Sequence, residues 1–246
     1  MREFSMTIAG RTALVRPLFE STEHYCSRYP AQSVPDFEIC VTPQDLIFEQ
    51  GELDREAVEE GFRFRKFTDP FLERTAIARA FAEELFERGT LMLHGSAVAL
   101  DGKGYLFTAR SGTGKSTHTR LWCQAFGDRA VMINDDKPFV QCAGAEIMIC
   151  GSPWSGKHGL DSNISVPLAG ICLLERGAEN KIRPISPAEA LPMLLKQGYC
   201  PLAEGKQPRY RQLVAELAGR TALWHMTCTK APDAALVAQK AMSESL

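Results

Sequence analysis

Two periodicities divide the chain. In residues 1–68 the apolar runs are short, at 12–15, 37–41 and 46–48, with breakers at Gly10, Pro30, Pro35 and Pro43. Such runs, rich in β-branched and aromatic residues between turn formers, predict strands. Phe62-Arg63-Phe64-Arg65-Lys66-Phe67 alternates at period two, the pattern of a half-buried strand with a solvated basic face. Asp69-Pro70 then opens a helix, with Asp69 as cap and proline at the first helical position. Phe71, Ile77, Phe81 and Leu85 form its apolar stripe, and Gly89 is its stop.

Beyond Gly89 the two periods alternate. Apolar runs at 91–100 and 105–108 flank Asp101-Gly102, a hairpin signal. Leu121, Trp122, Ala125 and Phe126 make a helical stripe that Gly127-Asp128 ends, and a short strand follows at 130–133. A second hairpin is predicted at 139–142 and 146–150, around Ala143-Gly144. Residues 166–174 are almost continuously apolar, as a central strand is. Helices are predicted at 187–197 and 210–217, a strand at 222–227 and a closing helix at 233–242 capped by Asp233. The expected organisation is a β-rich segment with a linking helix over 1–88 and an α/β domain over 89–246.

Composition narrows the partners more than the fold. The 246 residues suit one large domain or two unequal ones, and 45% hydrophobic with 24% charged residues is ordinary globular usage. A formal net charge of -2 gives no signature of nucleic-acid or membrane binding. No apolar run approaches the ~20 residues of a membrane span, and MREFSMTIAG lacks a signal-peptide core. Eight cysteines without a CxxC pair argue against zinc and read mostly as small buried hydrophobes, so a cytoplasmic location is expected.

The candidate chemistry follows the first hairpin. Ala109-Arg110-Ser111-Gly112-Thr113-Gly114-Lys115-Ser116 lies between a strand and a helix, the context of a phosphate-binding (Walker A) loop in its relaxed form, with alanine first. Its glycines let backbone N–H groups form a concave nest, and the helix adds unpaired amides and a positive dipole end. The expected nucleotide-binding set is Ser111, Gly112, Thr113, Gly114, Lys115, Ser116 and Thr117. Lys115 is expected to reach the β- and γ-phosphates and Ser116 to ligate Mg²⁺. The next strand ends in Asn134-Asp135-Asp136, two acids placed to serve Mg²⁺ and to take a proton from an attacking hydroxyl. Further on, Gly151-Ser152-Pro153-Trp154-Ser155-Gly156-Lys157-His158-Gly159 reads as a loop. There Lys157 is a candidate phosphate contact, and Trp154 either covers the site as a lid or tucks into the core.

His94-Gly95, the hairpin, ARSGTGKS and the strand ending in Asp135-Asp136 resemble the catalytic domain of HPr kinase/phosphorylase. The chain is more closely similar to HPr-kinase-like bacterial proteins, including kinases that tailor ribosomal peptides. The motifs span roughly 91–140, and a weaker similarity, including GSPWSGKH and the 166–175 strand, runs to the C-terminus. The resemblance implies an α/β fold like that of phosphoenolpyruvate carboxykinases: a bent mixed β-sheet with flanking helices and a P-loop, here preceded by the β-rich N-terminal segment. It also implies phosphate binding by Gly112, Gly114 and Lys115, metal contacts from Ser116 and the Asp135-Asp136 pair, a base within that pair, and a catalytic or phosphate-contacting role for His94. Where HPr kinase carries a glutamate-bearing signature this chain has GSPWSGKHG, so phosphorylase activity and HPr as substrate are not implied.

The expected function is a Mg-ATP-dependent kinase that phosphorylates a hydroxyl, foremost serine of a peptide or protein, with a small-molecule acceptor as the nearest variant. A carboxykinase and a non-catalytic nucleotide-binding module are the alternatives. The cofactors expected are ATP and Mg²⁺; nucleic acid and membrane are not expected partners, and a homo-oligomer is left open.

Overall fold

The computed structural model describes residues 2–244 of the chain. The backbone divides into two compact units, Met1–Glu84 and Leu85–Leu246.

The first unit holds β1 (Phe4–Ile8), β2 (Arg11–Arg16), α1 (Glu20–Cys26), β3 (Phe37–Cys40), α2 (Pro43–Glu60) and most of α3 (Asp69–Phe86). β1 and β2 are an antiparallel hairpin, and β3 lies parallel to β2 after the α1 crossover. Glu73 of α3 is buried and accepts from the Leu18 and Phe19 amides and the Thr22 hydroxyl, so it completes the open start of α1.

This unit corrects the expectation of a β-rich segment, because helices outweigh strands in it. Residues 46–48 are helical: Pro43 in the first turn and the Thr42–Asp45 capping box start α2 just before them. Arg79 of α3 then fixes α2 by bonding Asp45 at 3.1 Å and Glu49 at 2.6 Å. The alternating residues 62–67 join no ladder among the described residues. The Gln50 side chain instead donates to the Arg65 carbonyl and accepts from the Phe67 amide, both at 3.0 Å. Asp69 is a first-turn residue and not the cap; the Thr68 carbonyl accepts from the Phe71 and Leu72 amides.

The second unit continues with β4 (Thr90–Met92), β5 (Ser96–Leu100), β6 (Lys103–Thr108), α4 (Lys115–Phe126), β7 (Ala130–Asn134), β8 (Phe139–Gln141), β9 (Met148–Cys150) and β10 (Ser165–Arg176). It closes with β11 (Lys181–Pro184), α5 (Pro187–Gln197), α6 (Lys206–Arg220), β12 (Ala222–Cys228) and α7 (Asp233–Glu244). All nine strands share one mixed sheet: β6, β10 and β12 run parallel, and the other pairings are antiparallel.

Alternation along the central strands sorts the core into two layers. Leu106, Ile171 and Leu173 pack with Leu194, Leu213, Val214 and Leu217 of α5 and α6. Phe107, Cys172 and Leu174 pack on the other face with Trp122 of α4 and Ala234, Ala235 and Ala238 of α7. The unit is therefore α/β, a mixed sheet with helices on both faces.

Two details position the site. The expected hairpin is present, with Asp101 and Gly102 at φ 51° and 79° between Leu100 and Lys103. The run 91–100, however, is two strands. Leu93, His94 and Gly95 break it, and their amides go to the carbonyls of Pro138, Gln197 and Asp136.

Candidate functional site

At the end of β6 the chain turns through residues 109–114 into α4. Gly112 and Gly114 have φ of +74° and +120°, conformations that side chains disfavour, yet open space surrounds the place of a Cβ at both. They are glycines for backbone freedom and not for lack of room. Helix α4 starts with no acidic residue in its first turn and no side-chain cap on Gly114. Its end is thus electropositive and able to accept an anion. Lys115 is buried and folded back, its Nζ donating to the Ala109 carbonyl at 3.0 Å. Arg176, the last residue of β10, reaches the loop, its guanidinium donating to the carbonyls of Gly112 and Thr113.

The acidic pair at the end of β7 is joined to that helix. Asp135 is buried, and its Oδ1 accepts from the Ser96 hydroxyl at 2.7 Å. Ser96 Oγ lies 2.7 Å from Thr119 Oγ1, one turn along α4 from Ser116. Because each hydroxyl has one proton and Ser96 gives its own to the carboxylate, Thr119 is the donor to Ser96. The longer contacts of Thr119 to the carbonyls of Lys115 and Ser116, at 3.4 and 3.3 Å, are its alternatives.

Asp136 is half-exposed, its Oδ1 3.5 Å from Nε2 of His94. The backbone there is set by Asn134, fully buried, whose Oδ1 accepts from the amides of Asp136 at 2.8 Å and Lys137 at 2.6 Å. Asn134 Nδ2 donates to the Ser152 carbonyl at 2.7 Å, which ties the acidic turn to the loop of residues 151–159. That loop is further held by Ser155 donating to Asp161 at 2.7 Å. Gly156, at φ +70°, lies so near Asp136 that a Cβ would stand 3.2 Å from Asp136 Cβ.

Of the residues singled out from sequence, His94 and Asp136 meet, and Asp135 connects through Ser96 and Thr119 to the helix that begins with Lys115, Ser116 and Thr117. Ser111 and Gly112 are exposed and Thr113, Ser116 and Thr117 half-buried. Lys157 is exposed on the short turn Gly156–His158. Trp154 is buried, its ring 6.2 Å from that of Phe139; it belongs to the core and is not a lid. Among the described residues no three His, Cys, Asp or Glu side chains form a metal-holding group by themselves.

Sequence reasoning missed Ser96, Thr119, Asn134 and Arg176. Ser96 and Thr119 gave no signal. Arg176 did give one: it follows the long apolar run at 166–174, and the carboxyl ends of parallel strands are where open α/β sheets gather ligand contacts.

The chain matches the family described as "ScmC: SynChlorMet cassette protein ScmC" over residues 73–199, just over half its length. No curated protein matches it. Among solved structures, the Hpr(Ser) kinase/phosphatase from Coxiella burnetii aligns with 10% sequence identity and a TM-score of 0.35, covering 63% of this chain and 89% of that one.

Proposed function

The chain belongs to the SynChlorMet cassette protein ScmC family, and we propose that it is a Mg-ATP-dependent kinase acting on a hydroxyl, foremost serine of a peptide or protein. One observation carries the reading: hydrogen bonds run from Asp135 through Ser96 to Thr119 on the helix that the glycine loop opens. A buried carboxylate is thereby tied to the helix whose start is uncapped and electropositive, an arrangement that supports a site for a metal-bound phosphate.

In this reading the amides of residues 112–116 cradle the phosphates, and Lys115 leaves the Ala109 carbonyl to meet the phosphate oxygens. Ser116 and Asp135 would hold Mg²⁺ together with phosphate oxygens. When bound, Mg²⁺ supplies charge neutralisation at the phosphates. Asp136, accessible and beside His94, takes the proton from the acceptor hydroxyl. The hydroxyl oxygen forms a bond to the γ-phosphorus, the bond to the β,γ-bridging oxygen breaks, and ADP departs with that electron pair.

Transfer from γ-labelled ATP with Mg²⁺ tests this, with lysate peptides and free serine as acceptors. Wild type is compared with Lys115→Ala and Asp136→Asn. Label in a serine-bearing product, lost in both variants, supports the kinase. Tight ATP binding without transfer to any acceptor overturns it in favour of a nucleotide-responsive binding module.

A further inference from the structure

Nothing in the chemistry above uses Arg176, the residue that reaches the glycine loop from elsewhere in the sheet. β10 runs parallel to β6 with Leu173 opposite Thr108, where β6 ends, and continues beside β12 as far as Arg176, opposite Cys228. Three residues past that pair, the Arg176 guanidinium spans two successive carbonyls, Nη2 to Gly112 and Nε to Thr113 at 3.3 Å. Its neighbour Glu175 turns to the other adjoining strand, where His225 Nε2 lies 3.2 Å away, and does not compete for it.

We propose that Arg176 is a positioning residue that holds the glycine loop ready for an anion before the nucleotide arrives; this rests on the phosphotransfer reading. The reason lies in peptide geometry. In a trans peptide the C=O and the following N–H point in opposite directions. Anchoring the Gly112 and Thr113 carbonyls on one side therefore fixes the N–H groups of Thr113 and Gly114 on the other. The flanking glycines, at φ +74° and +120°, would otherwise let both peptide planes rotate. The Thr113 amide rests on the Arg110 carbonyl at 3.3 Å, a long bond that a phosphate oxygen can replace. A rigid guanidinium fork suits two successive carbonyls; a lysine ammonium is a single point donor and does not.

The experiment is calorimetric binding of Mg-ATP and of Mg-ADP to wild type, Arg176→Ala and Arg176→Lys, with kcat and KM for whichever acceptor is labelled. Because Arg176 is exposed, both variants should fold, and thermal melting checks this. The expected result is about tenfold weaker binding of both nucleotides in both variants, the loss of roughly one net charge-assisted bond. KM for ATP should rise while kcat at saturation changes little. Unchanged affinity in Arg176→Ala, or full affinity in Arg176→Lys, overturns the proposal while leaving the kinase reading intact. Absence of nucleotide binding by wild type overturns both.

Discussion

Ser96 donates to Oδ1 of Asp135 at 2.7 Å where both residues are buried, Ser96 with no exposed surface at all. Ser96→Ala removes the donor and leaves a carboxylate oxygen without that bond inside the sheet. The expected cost is about 1–3 kcal/mol in urea unfolding, with a fall in phosphotransfer. Unchanged stability would mean that Asp135 does not depend on this bond.

Asn134 faces two ways: its oxygen takes two amides and its nitrogen gives to the Ser152 carbonyl. Asn134→Asp keeps the size but aims a carboxylate oxygen at that carbonyl. Loss of about 2–4 kcal/mol is expected, because a buried charge is left facing an acceptor. Chemical denaturation measures it, and a loss below 1 kcal/mol would contradict this bonding pattern.

Gly156→Ala tests how Asp136 is placed. The added methyl would need a positive φ and would stand 3.2 Å from Asp136 Cβ, so either the loop or the carboxylate must give way. Expected are a stability loss of about 1 kcal/mol and a lower kcat with ATP affinity kept. Equal losses in affinity and kcat would point instead to disruption of the whole loop.

His118 gives the protein a defined acid sensitivity. It lies buried on α4, its Nε2 accepting from Trp122 at 3.2 Å and its ring 4.5 Å from that of Phe107. Its Nδ1 finds no hydrogen-bond partner among the described residues. Burial pushes its pKa from 6.5 down to about 4. Between these values the unfolded chain binds a proton that the folded chain does not, so stability rises with pH there. It should be unaffected by His118 above 6.5 and fall as pH drops toward 4, by about 3 kcal/mol in all. His118→Phe should flatten that part of the curve; an unchanged difference between pH 7 and pH 5 would show that His118 does not titrate this way.

Most of the second unit was legible because its signals are local. The Asp-Gly turn, the apolar run of β10 and the helix at Pro187–Gln197 each follow from a few adjacent residues. In the first unit the strand pattern is overridden, once by a competing local signal and once by a side chain from another element. Residues 46–48 suit a strand by type, but a proline and a capping box start a helix before them. Residues 62–67 alternate as a strand does, yet a glutamine side chain takes the backbone bonds that a strand partner would supply.

The candidate site divides in the same way. By itself the sequence determined the glycines that permit a nest of amides, the lysine and serine that follow them, and two carboxylates at a strand end. Those are properties of residue type and near spacing. Only the tertiary structure decided that Ser96 and Thr119 link one carboxylate to the loop helix, that Trp154 is core, and that Arg176 grips the loop from 63 residues away. Serine, threonine and arginine are common on any surface, and what they bond to is set by strand register and helix packing. Register and packing depend on contacts between distant segments, which no local pattern encodes.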